Sequence, residues 1–270
     1  MVAVVRAVLS SVRVDVSTDN RFARPLELMS GDERALATHV VESARATFAR
    51  FTDKPGSAFH EAPGFTAHEV WERVVEELAR VCVIAALDGT RDVPLDVDDI
   101  QLIHRAIFGP VFGAGVAGFR ASGELVDFPT YVGARARPEL RARRGASPKQ
   151  IRKRLQHALR DLDLDLVTLA RRAREDGVGL RDAVEITVKL YVRIIRIHPF
   201  MDGNGRVAWV AFSYALRRCG LPLLVIPPTL DTRWALGAAL RHGAGQDYEP
   251  LVDIVTRALR TSGDSAFGVG

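Results

Sequence analysis

Residues 198–206 read HPFMDGNGR. Upstream, Leu180, Val184, Ile186, Leu190, Ile194, Ile195 and Ile197 recur near helical spacing, and downstream VAWVAFSYALRRC runs on to Gly220 and Pro222. The stretch is therefore a break between two helices. Pro199 disfavours α geometry at His198, and the next helix is expected to start near Asn204. Gathered at this break are an imidazole, a carboxylate, two glycines and a guanidinium. Glycines at 203 and 205 remove Cβ atoms, so backbone N–H groups can approach a ligand closely. Such a helix start favours an anion, because its unpaired donors and its dipole both point outward. Arg206, in the first turn, can grip phosphate oxygens in bidentate fashion. Asp202 offers a hard carboxylate suited to Mg²⁺, which takes one or two carboxylates and completes its octahedron with phosphates and water. His198 titrates near neutrality and can accept a proton from a hydroxyl. Together they read as a polyphosphate cradle facing a base, a site for moving part of a nucleotide onto an incoming hydroxyl. An EF-hand is excluded, because the remaining loop ligands and the terminal glutamate do not follow.

Outward from this loop the chain reads as helices. Ser30-Gly31-Asp32-Glu33 is a capping box before ALATHVVESARATFARF, and residues 52–65 form a Pro- and Gly-rich linker. Thr66-Ala67-His68-Glu69 is a second box opening VWERVVEELARVCVIAALDG, with Gly89 as its expected end. Asp96 caps DDIQLIHRAIF, which is expected to stop at Gly109-Pro110. Ser147-Pro148-Lys149-Gln150 is expected to cap IRKRLQHALRDLDLDLVTLARRAR, with proline at its favoured first position. Between these helices lies a glycine-rich region with one extended segment, ELVDFPTYV, in which Val126, Phe128 and the Pro129 interruption suggest a small edge hairpin over residues 124–131. The expectation is an all-α fold with one β-hairpin, divided into an N-terminal helical extension (1–65), a helical domain (66–260) and a C-terminal tail (261–270).

Composition narrows the class. With 270 residues and 47% apolar content the chain can bury a real core, and a net charge of +4 decides nothing about nucleic acid. Cys82 and Cys219 lie inside apolar helical patterns and form no CxxC pair, which argues against a disulfide framework or a zinc site. MVAVVRAVLSSVRV is too short and too interrupted by arginine for a secretory signal, and no run reaches membrane-spanning length. A cytoplasmic protein with no membrane partner is expected. GAGVAG at 113–118 fits G-x-G-x-x-G but follows a helix outside any βαβ unit, so a dinucleotide site is rejected. Residues 135–160 carry ten Lys or Arg against Glu139 alone, either a solvated face or an electrostatic footprint for an acidic target or nucleic acid. Few aromatics interleave, which argues against single-stranded nucleic acid. His39, His60, His68, His104, His157 and His242 lack partners at ligand spacing and receive no role.

HPFMDGNGR satisfies every specified position of HPFx[DE]GN[GK]R, and on it the chain resembles the Fic family (Fido fold). The resemblance extends to IHRAIF, AGFR, the extended segment at 124–131 and DYEPLVDIV, covering roughly residues 66 to 260. It implies a helical domain with a β-hairpin flap that transfers AMP from ATP to a Ser, Thr or Tyr hydroxyl of a target protein. It further implies that His198 deprotonates that hydroxyl and that Asp202 holds Mg²⁺ on the α- and β-phosphates. Gly203, Asn204 and Gly205 would form the anion hole, Arg206 would bind the distal phosphates, and Phe200 would plug into the core. The flap, including Glu124, Leu125, Val126, Asp127 and Phe128, would clamp an extended target segment by backbone pairing. Glycine at 205, where phosphate-transferring members carry lysine, implies nucleotidyl transfer.

Two features depart from the family. Where many relatives have R-x-x-Y-Y-x-A-L, Arg233 to Leu240 reads RWALGAAL, which leaves the preferred base open. No strict [ST]xxxE[GN] inhibitory motif occurs; the nearest segments are Ser57 to Ala62 and Ile84 to Gly89 with Asp88. The enzyme is either unrestrained or controlled by an inhibitory partner, its own or an antitoxin-like second chain. The readings carried forward are a Mg²⁺-dependent protein adenylyltransferase, a transferase using another nucleotide or diphosphate donor, a kinase-type phosphotransferase, and an inactive binding module.

Overall fold

The computed structural model describes residues 21–24, 30–31, 34–35, 37–38, 41, 66–113, 118–121, 125–130, 139–175, 179–224, 229–240 and 247–266. The elements are α1 (Ala67–Thr90), α2 (Val97–Phe112), β1 (Leu125–Thr130), β2 (Glu139–Arg144), α3 (Ile151–Glu175), α4 (Leu180–Ile197), α5 (Asn204–Arg218), α6 (Leu230–Ala239) and α7 (Glu249–Ala266), with 3-10 turns at Arg21–Ala23 and Pro148–Gln150. Helices build the core, and the fold is all-α. At its centre is α5, whose Val207, Ala208, Val210, Ala211, Phe212, Tyr214, Ala215 and Leu216 are all buried. A helix apolar around most of its circumference must be covered on several sides, and α1, α2 and α4 cover this one.

Caps explain most boundaries. Thr66 Oγ1 accepts from the Glu69 amide at 3.2 Å and the Glu69 carboxylate accepts from the Thr66 amide at 2.7 Å, while Asp96 and Asp99 do the same for α2. Three sequence expectations of helix boundaries need correction. Gly89 does not stop α1, which continues through Thr90; a Cβ there would lie 2.5 Å from the Tyr214 carbonyl oxygen, so glycine lets α1 and α5 approach. α2 runs through Gly109 and Pro110 to Phe112 and ends where Gly113 takes φ 78°. A proline this close to the C-terminus forfeits one late backbone bond, which the helix tolerates. Ser147 makes no side-chain cap; a 3-10 turn precedes α3 instead. α6, unmarked in the sequence, is capped by Thr229 Oγ1 accepting from the Thr232 amide.

The expected hairpin over 124–131 is also different. That segment supplies only β1, whose antiparallel partner is β2, from Leu125 opposite Arg144 to Thr130 opposite Glu139. Both strands of a two-stranded sheet are edges, which is how Pro129 is accommodated. Of the basic run at 135–160, Arg141, Arg143 and Arg144 fall on β2, Lys149 in the 3-10 turn and Arg152, Lys153, Arg154 and Arg160 on α3, while Arg135 and Arg137 lie outside the described residues. Glu124 and Tyr131 lie outside the described residues, as do Met1 to Asn20, 52–65, and 114–117 of GAGVAG.

Of the N-terminal extension, the Arg34 amide donates to the Ser30 carbonyl at 3.0 Å, the first bond of a helix there, although Asp32 and Glu33 of the expected box lie outside the described residues. Phe22 is fully buried in the common core, Arg80 donates to the Phe22 and Arg24 carbonyls, and Arg21 bridges Asp88 and Asp99. α7 continues past the expected boundary at 260 to Ala266. No helix among the described residues is long and apolar enough to cross a membrane.

Candidate active site

The break between α4 and α5 is made by two left-handed residues. His198 caps α4 at φ 51°, ψ 62°, its amide donating to the Ile194 carbonyl at 3.0 Å. Gly203, at φ 80°, precedes α5. A side chain at Gly203 is excluded twice over, because a Cβ there would lie 2.4 Å from the Phe108 ring. Gly205 is the opposite case. It is exposed, and a Cβ would meet nothing within 4 Å. The structure gives that glycine no packing reason, and the space above it is where a ligand could lie against the first turn.

Within the loop, polar side chains hold backbone in place. The Asn204 side chain accepts from the Phe200 amide and donates to the Phe200 carbonyl, both at 2.9 Å, and is 4% exposed. It clasps the loop, leaving its backbone N–H as the group a ligand could use. Phe200 is buried, stacked on His104 with ring centroids 3.9 Å apart and tilted against Phe119. Asp202 accepts from the Gly203 amide at 2.5 Å and lies 3.7 Å from the Arg206 guanidinium, which itself stands over the Phe108 ring at 4.7 Å. Both charged side chains keep about a quarter of their surface exposed, 29% for Asp202 and 26% for Arg206. Carboxylate, guanidinium and helix start thus open onto one face.

Two residues without an assigned role from sequence complete the site. Arg120, 4% exposed, donates to the His198 carbonyl through Nε at 2.6 Å and to the Ala146 carbonyl through its terminal nitrogen, while its amide donates to the Pro199 carbonyl at 2.9 Å. One guanidinium thereby ties the loop to the entry of α3. Lysine cannot reproduce that fork. Arg120→Lys is expected to cost about 1–3 kcal/mol of stability through unsatisfied carbonyls and to depress turnover more than nucleotide affinity, checked by urea unfolding and by separating kcat from nucleotide Kd. His104 meets the Asp202 carbonyl at 3.1 Å through Nε2 and packs on Phe108 as well as Phe200. Its position beside Ile100, Ile103 and Ile107 was the available signal, since a histidine on an apolar stripe is buried and needs a partner.

Burial sets the protonation of His198 and His104. Desolvation, aided by the nearby Arg120 charge, pulls His198 from 6.5 to about 4. Desolvation, with Arg206 adding to it, does the same to His104, also to about 4. Neutral imidazole is therefore the form present near pH 7, with Nδ1 of His198 buried. Because these folded values lie below the unfolded one, both histidines contribute stability above pH 6.5 that is lost as pH falls toward 4. If His198 is the base, kcat/KM for transfer stays level from pH 8 to 5.5, where an ordinary histidine would be about 90% protonated. An acidic limb at 6.5 or above in kcat/KM contradicts that assignment.

The arrangement fits a metal–nucleotide complex. Among the described residues no cluster of three His, Cys, Asp or Glu occurs. A Mg²⁺ ion at Asp202 would draw its other ligands from substrate phosphate and water, the usual habit of this ion. As to the nearest inhibitory sequences, Asp88 is engaged with Arg21 at 3.4 Å, and Ser57 to Ala62 lie outside the described residues.

Fold and site describe a helical protein in which His198, Asp202, Arg206 and the start of α5 meet at one helix junction, with a single two-stranded sheet among the described residues. Residues 94–216 match the family model described as Fic/DOC family. The chain is 26% identical over 190 residues to the Protein adenylyltransferase fic-1 of Caenorhabditis elegans, an alignment covering 65% of this chain and 32% of the worm protein. The chain thus spans about a third of that relative's length, or 32%. It is also 47% identical over 51 residues, 18% of this chain and 10% of the other, to the Uridine 5'-monophosphate transferase of Xanthomonas campestris. Among solved structures, a Fic-domain-containing signaling protein from Bacteroides thetaiotaomicron superposes with a TM-score of 0.60 at 18% identity, covering 88% of this chain and 89% of that one. That likeness shows the fold.

Proposed function

We propose that the chain is a Mg²⁺-dependent nucleotidyltransferase that moves a nucleoside monophosphate, AMP in the first instance, from a triphosphate to a Ser, Thr or Tyr hydroxyl of a protein. The observation that carries this reading is the α4–α5 junction itself, where a neutral, half-buried histidine stands beside a helix start opened by Gly205. The triphosphate would lie against the Asn204 and Gly205 amides, with the Arg206 guanidinium on its distal phosphates. Mg²⁺ at Asp202 would neutralise phosphate charge. His198 takes the proton from the target hydroxyl as that oxygen bonds to the α-phosphorus; the bond to the β-phosphate oxygen breaks and pyrophosphate leaves. β1 would hold the target in extended form beside the site through its backbone edge. A relative named a protein adenylyltransferase supports a protein acceptor.

One observation keeps a second donor in view. The sequence RWALGAAL, in which Leu236 and Gly237 stand where many relatives have two tyrosines, falls on α6 and its C-cap, and one relative is named for UMP transfer. The test is mass spectrometry of the protein and of lysate proteins after incubation with Mg²⁺ and each of ATP, GTP, CTP and UTP. A nucleoside monophosphate adduct is expected, and the donor that gives it names the base. A phosphate-only adduct would make the protein a phosphotransferase, and no adduct with any donor would leave a binding module.

A further inference from the structure

A second feature adjoins the loop. Between α3 and α4 lies a cavity of about 220 Å³, with Arg154, His157 and Asp161 on one wall and Arg193 and Arg196 on the other. Its floor is apolar, formed by buried Ala158 and Ile197, while Arg154 and His157 stand exposed at the rim and Arg193 and Arg196 are half-buried. Three guanidiniums thus face one carboxylate, and Asp161 already pairs with Arg193 at 2.8 Å. A groove of this composition attracts an anionic partner.

Its place along the chain says which partner. Ile197 directly precedes His198, and its carbonyl accepts from the Ala146 amide at 3.1 Å. Ala146 follows β2, which ends at Arg144, and is held by Arg120 together with the His198 carbonyl. The groove, the exit of the two-stranded sheet and the histidine therefore share one seam. A chain lying along the sheet with its hydroxyl at His198 would pass the rim of the groove. We infer that the groove docks an acidic segment of the protein that is modified, which rests on the function proposed above and adds the substrate's charge to it. Carboxylates spaced along an extended segment would meet Arg154 at the rim and Arg196 within, with the apolar floor taking the intervening side chain.

The probe is a fluorescein-labelled ten-residue peptide of alternating glutamate and glycine, its anisotropy measured with the full chain at low salt and without nucleotide. Binding is expected, weakened about tenfold or more when glutamine replaces glutamate, and weakened as salt is raised. The double variant Arg154→Gln, Arg196→Gln is expected to lose a similar factor while its Tm and its calorimetric nucleotide affinity stay those of the unaltered protein. Asp161→Asn, which removes the one carboxylate, is expected to tighten peptide binding. Equal affinity for the glutamine peptide, or an unchanged affinity in the double variant, overturns the inference. Tighter retention of a single-stranded oligonucleotide of equal charge count overturns it in favour of a nucleic-acid groove. Because the assay contains no nucleotide, its failure is distinct from failure of the transferase reading.

Discussion

His198→Ala is expected to lower nucleotide transfer by about 10²- to 10⁴-fold, the range of a lost general base, with nucleotide affinity changed little. In the proposed reaction the imidazole receives the hydroxyl proton, because the Asp202 carboxylate accepts from the Gly203 amide and would hold the metal, and the Asn204 side chain is bonded to Phe200. Nucleotide contacts, by contrast, are expected from backbone amides and Arg206, which this change does not touch. Alanine at a residue with φ 51° is strained by about 1–2 kcal/mol, so His198→Asn serves as the second variant, since asparagine visits the left-handed region more readily. Adduct formation by mass spectrometry and nucleotide binding by calorimetry check both variants. Transfer within a few-fold of the unaltered protein in both would remove His198 from the reaction.

The largest expected effect on stability comes from Gly203→Ala. Its φ of 80° costs a side-chain-bearing residue about 1 kcal/mol or more. Its Cβ would stand 2.4 Å from the ring of Phe108, which is fully buried and cannot swing aside without disturbing His104 and the Arg206 guanidinium packed on it. Overpacking of this kind adds about 1–3 kcal/mol. The sum corresponds to a Tm lowered by roughly 5–15 °C in a domain of this size, measured by calorimetry. Gly205→Ala is the contrast, two residues away. Nothing lies within 4 Å of its Cβ, and it sits in a helical first turn. Its Tm should be unchanged or slightly raised, while triphosphate affinity falls because the methyl group occupies the approach to the amides. Loss of stability at Gly205 with affinity intact would mean that the space above it serves packing, contrary to the site described.

The helix break itself was legible in nine consecutive residues, because Pro199 and the glycines at 203 and 205 mark it locally. Both helix caps at Thr66 and Asp96 were legible for the same reason, each being a contact across three residues. What holds the loop was not. Arg120 reaches His198 across 78 residues and His104 reaches Asp202 across 98, and no local pattern encodes such contacts. β2, with sequence ELRARR, has neither an apolar face nor a turn signal to mark it. Its strand state follows from pairing with β1, not from its own residues. Gly89 and Pro110 misled as punctuation, because one answers to the close approach of α5 and the other is tolerated near a helix end.

The central claim concerns occupancy of one place by one class of molecule, and titration calorimetry of ATP and of AMP, each with Mg²⁺, into the full chain and into Arg206→Ala tests it most directly. The account predicts that the triphosphate binds and that Arg206→Ala weakens it about tenfold or more, while the monophosphate loses little. Heat from no nucleotide under any metal condition, or an equal loss for AMP and ATP in the variant, would contradict it.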